Sequence, residues 1–411
     1  MNTQKVDLSN DRALEDIGES KSIESPEVVT KYKTAAEAVN KAFLHVKEAV
    51  KPNVSVLELC KLGDSQILEY TSGVFNKAKT ATGEKVDKGI AFPTCVCVNA
   101  CVSHFSPLSD EDTELLKEGD LISIQMGAHI DGYCAVLCNT LFVNGTEIDS
   151  SSQTLTGRKA DLVVAVYTAA EAALRMLRPG RTNTEISEIF AKIADAYDCR
   201  IVEGCLSHQM KRHVIDGNKV VLAKPTFDQK VDIYEFQENE VYAIDIAMST
   251  GEGKTREQGT RCTIYKRRVD IEYNLKMKTS RAVFNEINTK YPTLPFCLRS
   301  LADEKKAKLG ITELLTHNLV VSYPVLYERE GVFVCRAKFT ALILPSQTLR
   351  ITEFSMPSCQ SEKTLSDETV KAVLKTSVSK KAQKKKKKPE KLNSQQVHEE
   401  PVPMETDERN A

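Results

Sequence analysis

The sequence predicts an α+β chain made of two structurally related halves, and three observations carry that reading. One grammar occurs twice: an amphipathic helix, a basic residue followed by proline, a second helix, then strands. Several short runs are almost wholly apolar and read as buried strands. Asp131-Gly132 joins two of these runs as a hairpin turn, which makes their pairing antiparallel. With 411 residues, 41% of them hydrophobic, the chain can bury one large core or two ordinary ones.

Taken in order, Met1 to about Ser25 is polar and unpatterned and is expected to be a disordered leader, residues 1–25. From Glu27 the apolar positions Val28, Tyr32, Ala35, Val39, Phe43 and Val46 fall at helical spacing, and the pattern stops before Lys51-Pro52. A second helix is expected over about Val56 to Lys77, then strands over Gly89–Val98, Leu121–Met126 and Tyr133–Val143. The second round opens with a helix over Lys159–Leu177, ended by Arg178-Pro179-Gly180. Thr182 and Glu185 are spaced as a capping box for a helix reaching Tyr197. Glu240–Met248 and Gly331–Leu344 read as strands, and residues 264–327 between them as a basic insert of short helices. Beyond residue 360 the chain turns polar and is expected to be disordered over 361–411, with a lysine-rich block at 380–391.

The formal net charge is only -1, because that basic block is offset by an acidic stretch from Glu399 to Glu408. No apolar run is long enough to span a bilayer, and no stretch has the order of a signal peptide, so a cytosolic or nuclear protein without membrane insertion is expected. The 12 cysteines lack zinc-finger spacing and read, in a reducing compartment, as small core residues.

The strings AFPTCVCVNACVSHFSP, GAHIDGY, EGCLSHQMKRHVIDG, ENEVYAIDIAMSTGEG and KFTALILP resemble, in order and spacing, the type II methionine aminopeptidases. They resemble a non-catalytic, proliferation-associated branch of that family more closely still, over about Glu27 to Met356. The resemblance implies a pseudo-symmetric pita-bread (creatinase/aminopeptidase) fold over 26–360, with 264–327 as its helical insert subdomain. It also implies two divalent ions in the peptidases, held by two aspartates, a histidine and two glutamates. Such a set is needed because neighbouring cations require several anionic oxygens to offset their repulsion before they can acidify a bridging water.

At the matching positions this chain has Gln125, Val136, Cys205, Asp245 and Lys338. Glutamine is a weak neutral ligand, valine none, cysteine a soft one in the wrong company, and lysine a cation. These five read as a vestigial metal site, so no metal, no cofactor and no catalytic residue is expected. An Asp245 left without cations needs a partner, and Lys338 is the expected one, unless an enlarged cleft lets water solvate each. His104 and His213 match the two histidines that contact substrate in the peptidases; they are either a vestigial substrate pocket or ordinary hydrogen-bonded histidines inherited with the fold. His208, three residues past Cys205, lacks further ligands at metal spacing.

The basic segments carry the other expectation. Lys380, Lys381 and Lys384, Lys385, Lys386, Lys387 and Lys388 suit a nuclear or nucleolar localisation signal and a phosphate-binding arm, or else a solvated tail. Lys266, Arg267 and Arg268, with Lys305 and Lys306, are candidates for a second, folded basic surface. Phosphate contacts hold without reading sequence, and few aromatics interleave for base stacking. The resemblance implies structured, ribosomal RNA and the ribosome as partners, with a receptor tail and transcription regulators besides, in cytoplasm and nucleolus. Val370-Lys371-Ala372-Val373-Leu374 imitates a groove-docking LxxLL helix imperfectly and equally suits a short amphipathic helix. The leading expectation is a non-enzymatic RNA- and protein-binding adaptor; a surviving single-metal aminopeptidase and a protein-only scaffold are the alternatives.

Overall fold

The computed structural model describes residues 22–80, 83–109, 114–144, 154–226, 229 and 231–379. The leader through residue 21 and the whole lysine-rich block, including Lys380, Lys381 and Lys384 to Lys388, lie outside the described residues.

The first half begins with α1 (Pro26–Ala49) and α2 (Val56–Ser72). Pro26 opens α1, where its missing amide costs nothing, and Ser55 with Glu58 closes a capping box on α2. Strands β1 (Lys88–Val98), β2 (Cys101–Ser103), β3 (Leu121–Ile130) and β4 (Tyr133–Phe142) follow. The second half repeats the order with α3 (Gly157–Met176) and α4 (Asn183–Ala196), the latter capped by Thr182 and Glu185 as the spacing predicts. Then come β5 (Arg200–Ile201), β6 (Leu206–Met210), β7 (Val220–Leu222) and β8 (Glu240–Ser249).

Residues 264–322 leave this sheet. They form β9 (Ile264–Arg267), α5 (Lys278–Lys290), β10 (Phe296–Cys297), α6 (Glu304–Thr316) and β11 (Val320–Ser322). The expected all-helical character is corrected here, because β9 is the centre of a small antiparallel sheet between β10 and β11. Strand β12 (Leu326–Tyr327) pairs with β2, and β13 (Val334–Ile343) with β14 (Thr348–Arg350) closes the second half.

The main sheet runs β1-β3-β4-β13-β8-β6-β7. The halves meet at β4 and β13, with β3 and β8 next outward and β1 and β6 beyond. Equivalent strands thus stand at equal distances from the seam, which is the expected pseudo-symmetry. One face is apolar and covered by helices: Ile124 and Met126 share a cluster with Val39, Phe43 and Ile67, while Ile244, Ile246 and Phe339 share one with Val166 and Phe190. The opposite face carries the residues of interest, because side chains alternate along a strand.

The AFPT string acquires a structural cause. The register of β1 on β3 shifts between Ile90 and Phe92 and again between Phe92 and Cys95, where Pro93 has no amide to give the ladder. Thr94 instead donates its amide to Asp64 at 2.8 Å.

The expected limit at residue 360 is also corrected. A helix α7 (Glu368–Leu374) is capped by Asp367 and packs on α3 and α4, with Val370 fully buried. The VKAVL segment therefore spends its apolar side on its own fold. Among the described residues, no helix is long and apolar enough to cross a membrane.

Candidate functional site

Four residues lie in register across the centre of the sheet: Gln125 on β3 opposite Cys138 on β4, Cys138 opposite Lys338 on β13, and Lys338 opposite Asp245 on β8. Directly opposed residues point to the same face, so the row brings Gln125, Lys338 and Asp245 together on the side away from the helices. Val136 lies two residues before Cys138 on the same face, and Cys205 precedes β6 and reaches Asp245 from the other flank. The five positions named from sequence do converge.

Their centre is an ion-pair cluster. Lys338 Nζ stands 3.1 Å from Asp245 Oδ2. The stronger partner is one the sequence reading missed: Arg336 donates Nε to Oδ1 at 2.8 Å and Nη2 to Oδ2 at 2.5 Å. Asp245 is 2% exposed at its side chain, Arg336 7% and Lys338 15%. Burial alone raises the Asp245 carboxyl pKa, but the Arg336 and Lys338 charges outweigh it and hold that pKa far below the usual carboxylate value. Burial lowers the Arg336 pKa and the facing carboxylate raises it further, so the guanidinium stays charged. A signal for Arg336 existed in the alternation of β13. Cys335, Ala337, Phe339 and Ala341 face the helices, which leaves Arg336 and Lys338 as successive outward positions of one strand.

The other positions offer little to a cation. Val136 has no donor atom and packs among apolar neighbours, and a side chain at Gly127 opposite would meet its Cγ1 at 2.7 Å. Cys205 Sγ donates to Asp245 Oδ1 at 3.4 Å, and burial followed by that carboxylate pushes the thiol pKa well up, so it keeps its proton. Gln125 is 2% exposed, and neither its Oε1 nor its Nε2 finds a partner among the described residues.

The two histidines are separated in role. His104 stands beside the cluster with a positive φ of 67°, its ring edge-on to Tyr323 at 5.3 Å. Its Nδ1 meets the Pro324 carbonyl at 3.2 Å, which fixes that nitrogen as the donor. Burial, and then the charges of Arg336 and Lys338, bring its pKa down to about 3, so it is neutral. His213 lies instead at the β3–β4 turn, its ring against Gly132 and its Nδ1 3.4 Å from Thr293 Oγ1. His208 Nδ1 donates to the Gly217 carbonyl at 3.2 Å. Among the described residues, no group of three or more His, Cys, Asp or Glu is placed to hold a metal ion.

The insert's basic run is corrected by its own alternation. Lys266 is 5% exposed and its ammonium meets Asp216 at 2.5 Å, inside the fold. Arg267 lies over the Phe284 ring, and Arg268 pairs with Asp270 at 2.7 Å. Lys305 and Lys306 are exposed on α6, where Lys306 pairs with Asp303 at 3.1 Å. Of the insert's candidates, only these two lysines face solvent.

Comparison with known proteins gives the frame. Residues 30–273 match the family described as metallopeptidase family M24. The chain is 47% identical over 387 residues to "ErbB-3 binding protein 1" of Solanum tuberosum, covering 93% of this chain and 96% of that one. It is 44% identical to "proliferation-associated protein A" of Dictyostelium discoideum, over 91% of this chain and 94% of that one. It is 36% identical to the "curved DNA-binding protein" of Schizosaccharomyces pombe, over 94% and 100%. Among solved structures, a thermophilic Arx1 superposes with a TM-score of 0.78 at 30% identity, over 87% of this chain and all of that one. The architecture is the pita-bread fold.

The residues present do not fit the pair of divalent ions that such a fold carries in peptidases. Asp245, the one carboxylate of the row, already accepts both Arg336 and Lys338, so a metal would have to displace two cations from it.

Proposed function

The chain belongs to metallopeptidase family M24, and we propose that it is a non-catalytic member, a rigid adaptor that binds RNA and protein partners through its surface. The observation that supports this reading is the charge at the centre: Arg336 and Lys338 stand where a peptidase requires room for cations. Two divalent ions there would face two fixed positive charges with a single carboxylate to offset them all.

RNA is the proposed ligand of the surface, ribosomal RNA and the ribosome foremost, with roles in ribosome biogenesis and in the control of translation and transcription. Lys305, Lys306 and the lysine block from Lys380 supply phosphate contacts that release counterions and hold without reading sequence. The names of two relatives agree with an adaptor: one is called an ErbB-3 binding protein and another a curved DNA-binding protein. A receptor tail and transcription regulators are accordingly the proposed protein partners, and cytoplasm and nucleus with its nucleolus the proposed locations.

One observation favours a competing enzyme reading, the 3.4 Å approach of Cys205 Sγ to Asp245 Oδ1, which places two potential ligands of a single ion side by side. The protonated thiol and the engaged carboxylate weigh against it. Metal analysis of purified protein with a methionyl-peptide assay separates the two. The adaptor reading expects substoichiometric divalent metal and no turnover; stoichiometric metal with chelator-sensitive turnover overturns it. Crosslinking of cellular RNA to the full chain and to a variant lacking residues 380–391 tests the RNA reading, with recovery expected to fall in the variant. Unchanged recovery and salt dependence after deletion and after Lys305→Gln/Lys306→Gln would remove it.

A further inference from the structure

The corner between the two helices of the second half holds a basic cavity remote from the row on the sheet. Its volume is about 680 Å³, and Arg175, Arg178, Arg181 and Lys375 line it with no carboxylate among them. Three stretches distant in sequence build it. They are the α3–α4 turn through Pro179 and Gly180, the β13–β14 turn with Gln347 and Thr348, and the chain after α7 from Lys375 to Val378. The third wall exists because α7 docks through Val370, after which Thr348 donates its amide to the Val378 carbonyl at 3.3 Å and Gln347 bridges Ser379.

The cations are unevenly satisfied. Arg175 meets Glu171 at 2.5 Å, but Glu171 is shared with Arg350 at 2.6 Å, and Arg175 Nε is buried with no partner. Arg181 has Glu185 at 3.2 Å. The side chains of Arg178 and Lys375 make no hydrogen bond or ion pair among the described residues. Arg178 is half-buried, and burial followed by the charge of Arg181 disfavours its charged form. A concave site with guanidinium donors in excess, where Glu171 and Glu185 are already paired with arginines, suits an anionic ligand. Planar guanidinium groups match phosphate oxygens best. The volume is in the range of small-ligand sites, roughly 300–1,000 Å³, and well beyond a single phosphate.

We propose that this cavity binds phosphate groups, with Arg178 and Lys375 as the principal contacts and Arg175 and Arg181 completing the site. Two sources share that chemistry: a free polyphosphate, or the backbone of a nucleic-acid strand that also meets the lysines following Ser379 in the sequence. The site does not depend on the RNA reading above, since a free polyphosphate fills it alone.

The test uses the full chain and an Arg178→Gln/Lys375→Gln variant, whose thermal midpoint should match the parent because neither side chain makes a hydrogen bond or ion pair among the described residues. Calorimetric titration with inorganic pyrophosphate is expected to show one saturable site in the parent and at least tenfold weaker binding in the variant. A hairpin RNA oligonucleotide forms the second arm. If the variant also lowers the salt slope of RNA binding by about two, one per lost phosphate contact, a strand occupies the cavity. If pyrophosphate binding alone falls, the ligand is a small polyphosphate. If neither affinity changes, the proposal fails. A chain lacking residues 380–391 separates the two readings: RNA binding is lost there on the tail reading, whereas pyrophosphate binding is retained on this one.

Discussion

Asp245→Asn removes the one carboxylate facing Arg336 and Lys338 while keeping the shape of the side chain. Both cations are largely enclosed, with 7% and 15% of their side chains exposed. Taking one partner from a buried pair leaves uncompensated charge and costs about 3–5 kcal/mol. The two cations should not be equivalent. Arg336 makes two short contacts and Lys338 one, at 3.1 Å. With a hydrogen bond to a charged group contributing about 1.5–3 kcal/mol, Arg336→Met should cost roughly twice what Lys338→Met does. Replacing all three by apolar residues of similar volume should bring stability back to within about 1 kcal/mol of the parent or above it, because desolvation of the cluster disappears together with its attraction. Urea denaturation followed by circular dichroism reads each variant, with the slope checked for constancy before midpoints are compared. The pH dependence has a fixed sign. The Asp245 pKa is depressed in the fold, so its contribution is complete above the unfolded value near 3.8 and is lost as pH falls below it. The gap between parent and Asp245→Asn should therefore narrow only below about pH 4. A cost under about 1 kcal/mol for Asp245→Asn, the level of an exposed pair, would refute the reasoning, as would equal costs at Arg336 and Lys338.

Three further outcomes follow from other buried groups. Gln125 buries two polar atoms without partners, each such atom costing about 1–3 kcal/mol, so Gln125→Met should leave stability unchanged or raise it; a loss above about 2 kcal/mol in the same denaturation assay would mean the amide is satisfied. His104 and His129 have pKa values brought down to about 3 and about 4, in each case chiefly by burial. The unfolded chain then takes up protons that the fold refuses, so the thermal midpoint should fall as pH drops below about 6.5, and His104→Gln should flatten part of that fall. Val370→Ala, at the fully buried contact of α7, should cost about 1–3 kcal/mol and raise hydrogen exchange over residues 361–379 while leaving the central sheet protected.

The architecture was legible where patterning is strong. The capping box at Thr182, five long strands and the hairpin at Asp131-Gly132 all follow from local sequence pattern, and the repeated order of elements foretold two related halves, which the structure joins at β4 and β13. Two features escaped because composition was read in place of period. Residues 361–379 are polar on average, yet Val370 and Val373 recur at helical spacing and suffice to seat about two turns on α3 and α4. The stretch after Ile264 is dense in lysine and arginine, yet β9 alternates and pairs on both sides, which carries Lys266 inward to Asp216.

The same period of two explains why the site was only partly readable. Matching to peptidases points at five positions, and those positions ask what became of each ligand; they do not ask what entered in its place. Arg336 occupies a position that supplies no ligand in that set, two residues from Lys338 on the same face of β13, and it takes the larger share of Asp245. A loss of metal at a buried acidic site leaves an anion that must be neutralised, and the nearest outward-facing position of the adjoining strand is where the compensating cation can arise. Surface charge obeys the converse rule. A cation counts toward a ligand only after its internal partners are subtracted. That subtraction removes Lys266 and Arg268, which sequence favoured, and retains Arg178 and Lys375, which it passed over as a helix stop and part of a disordered tail.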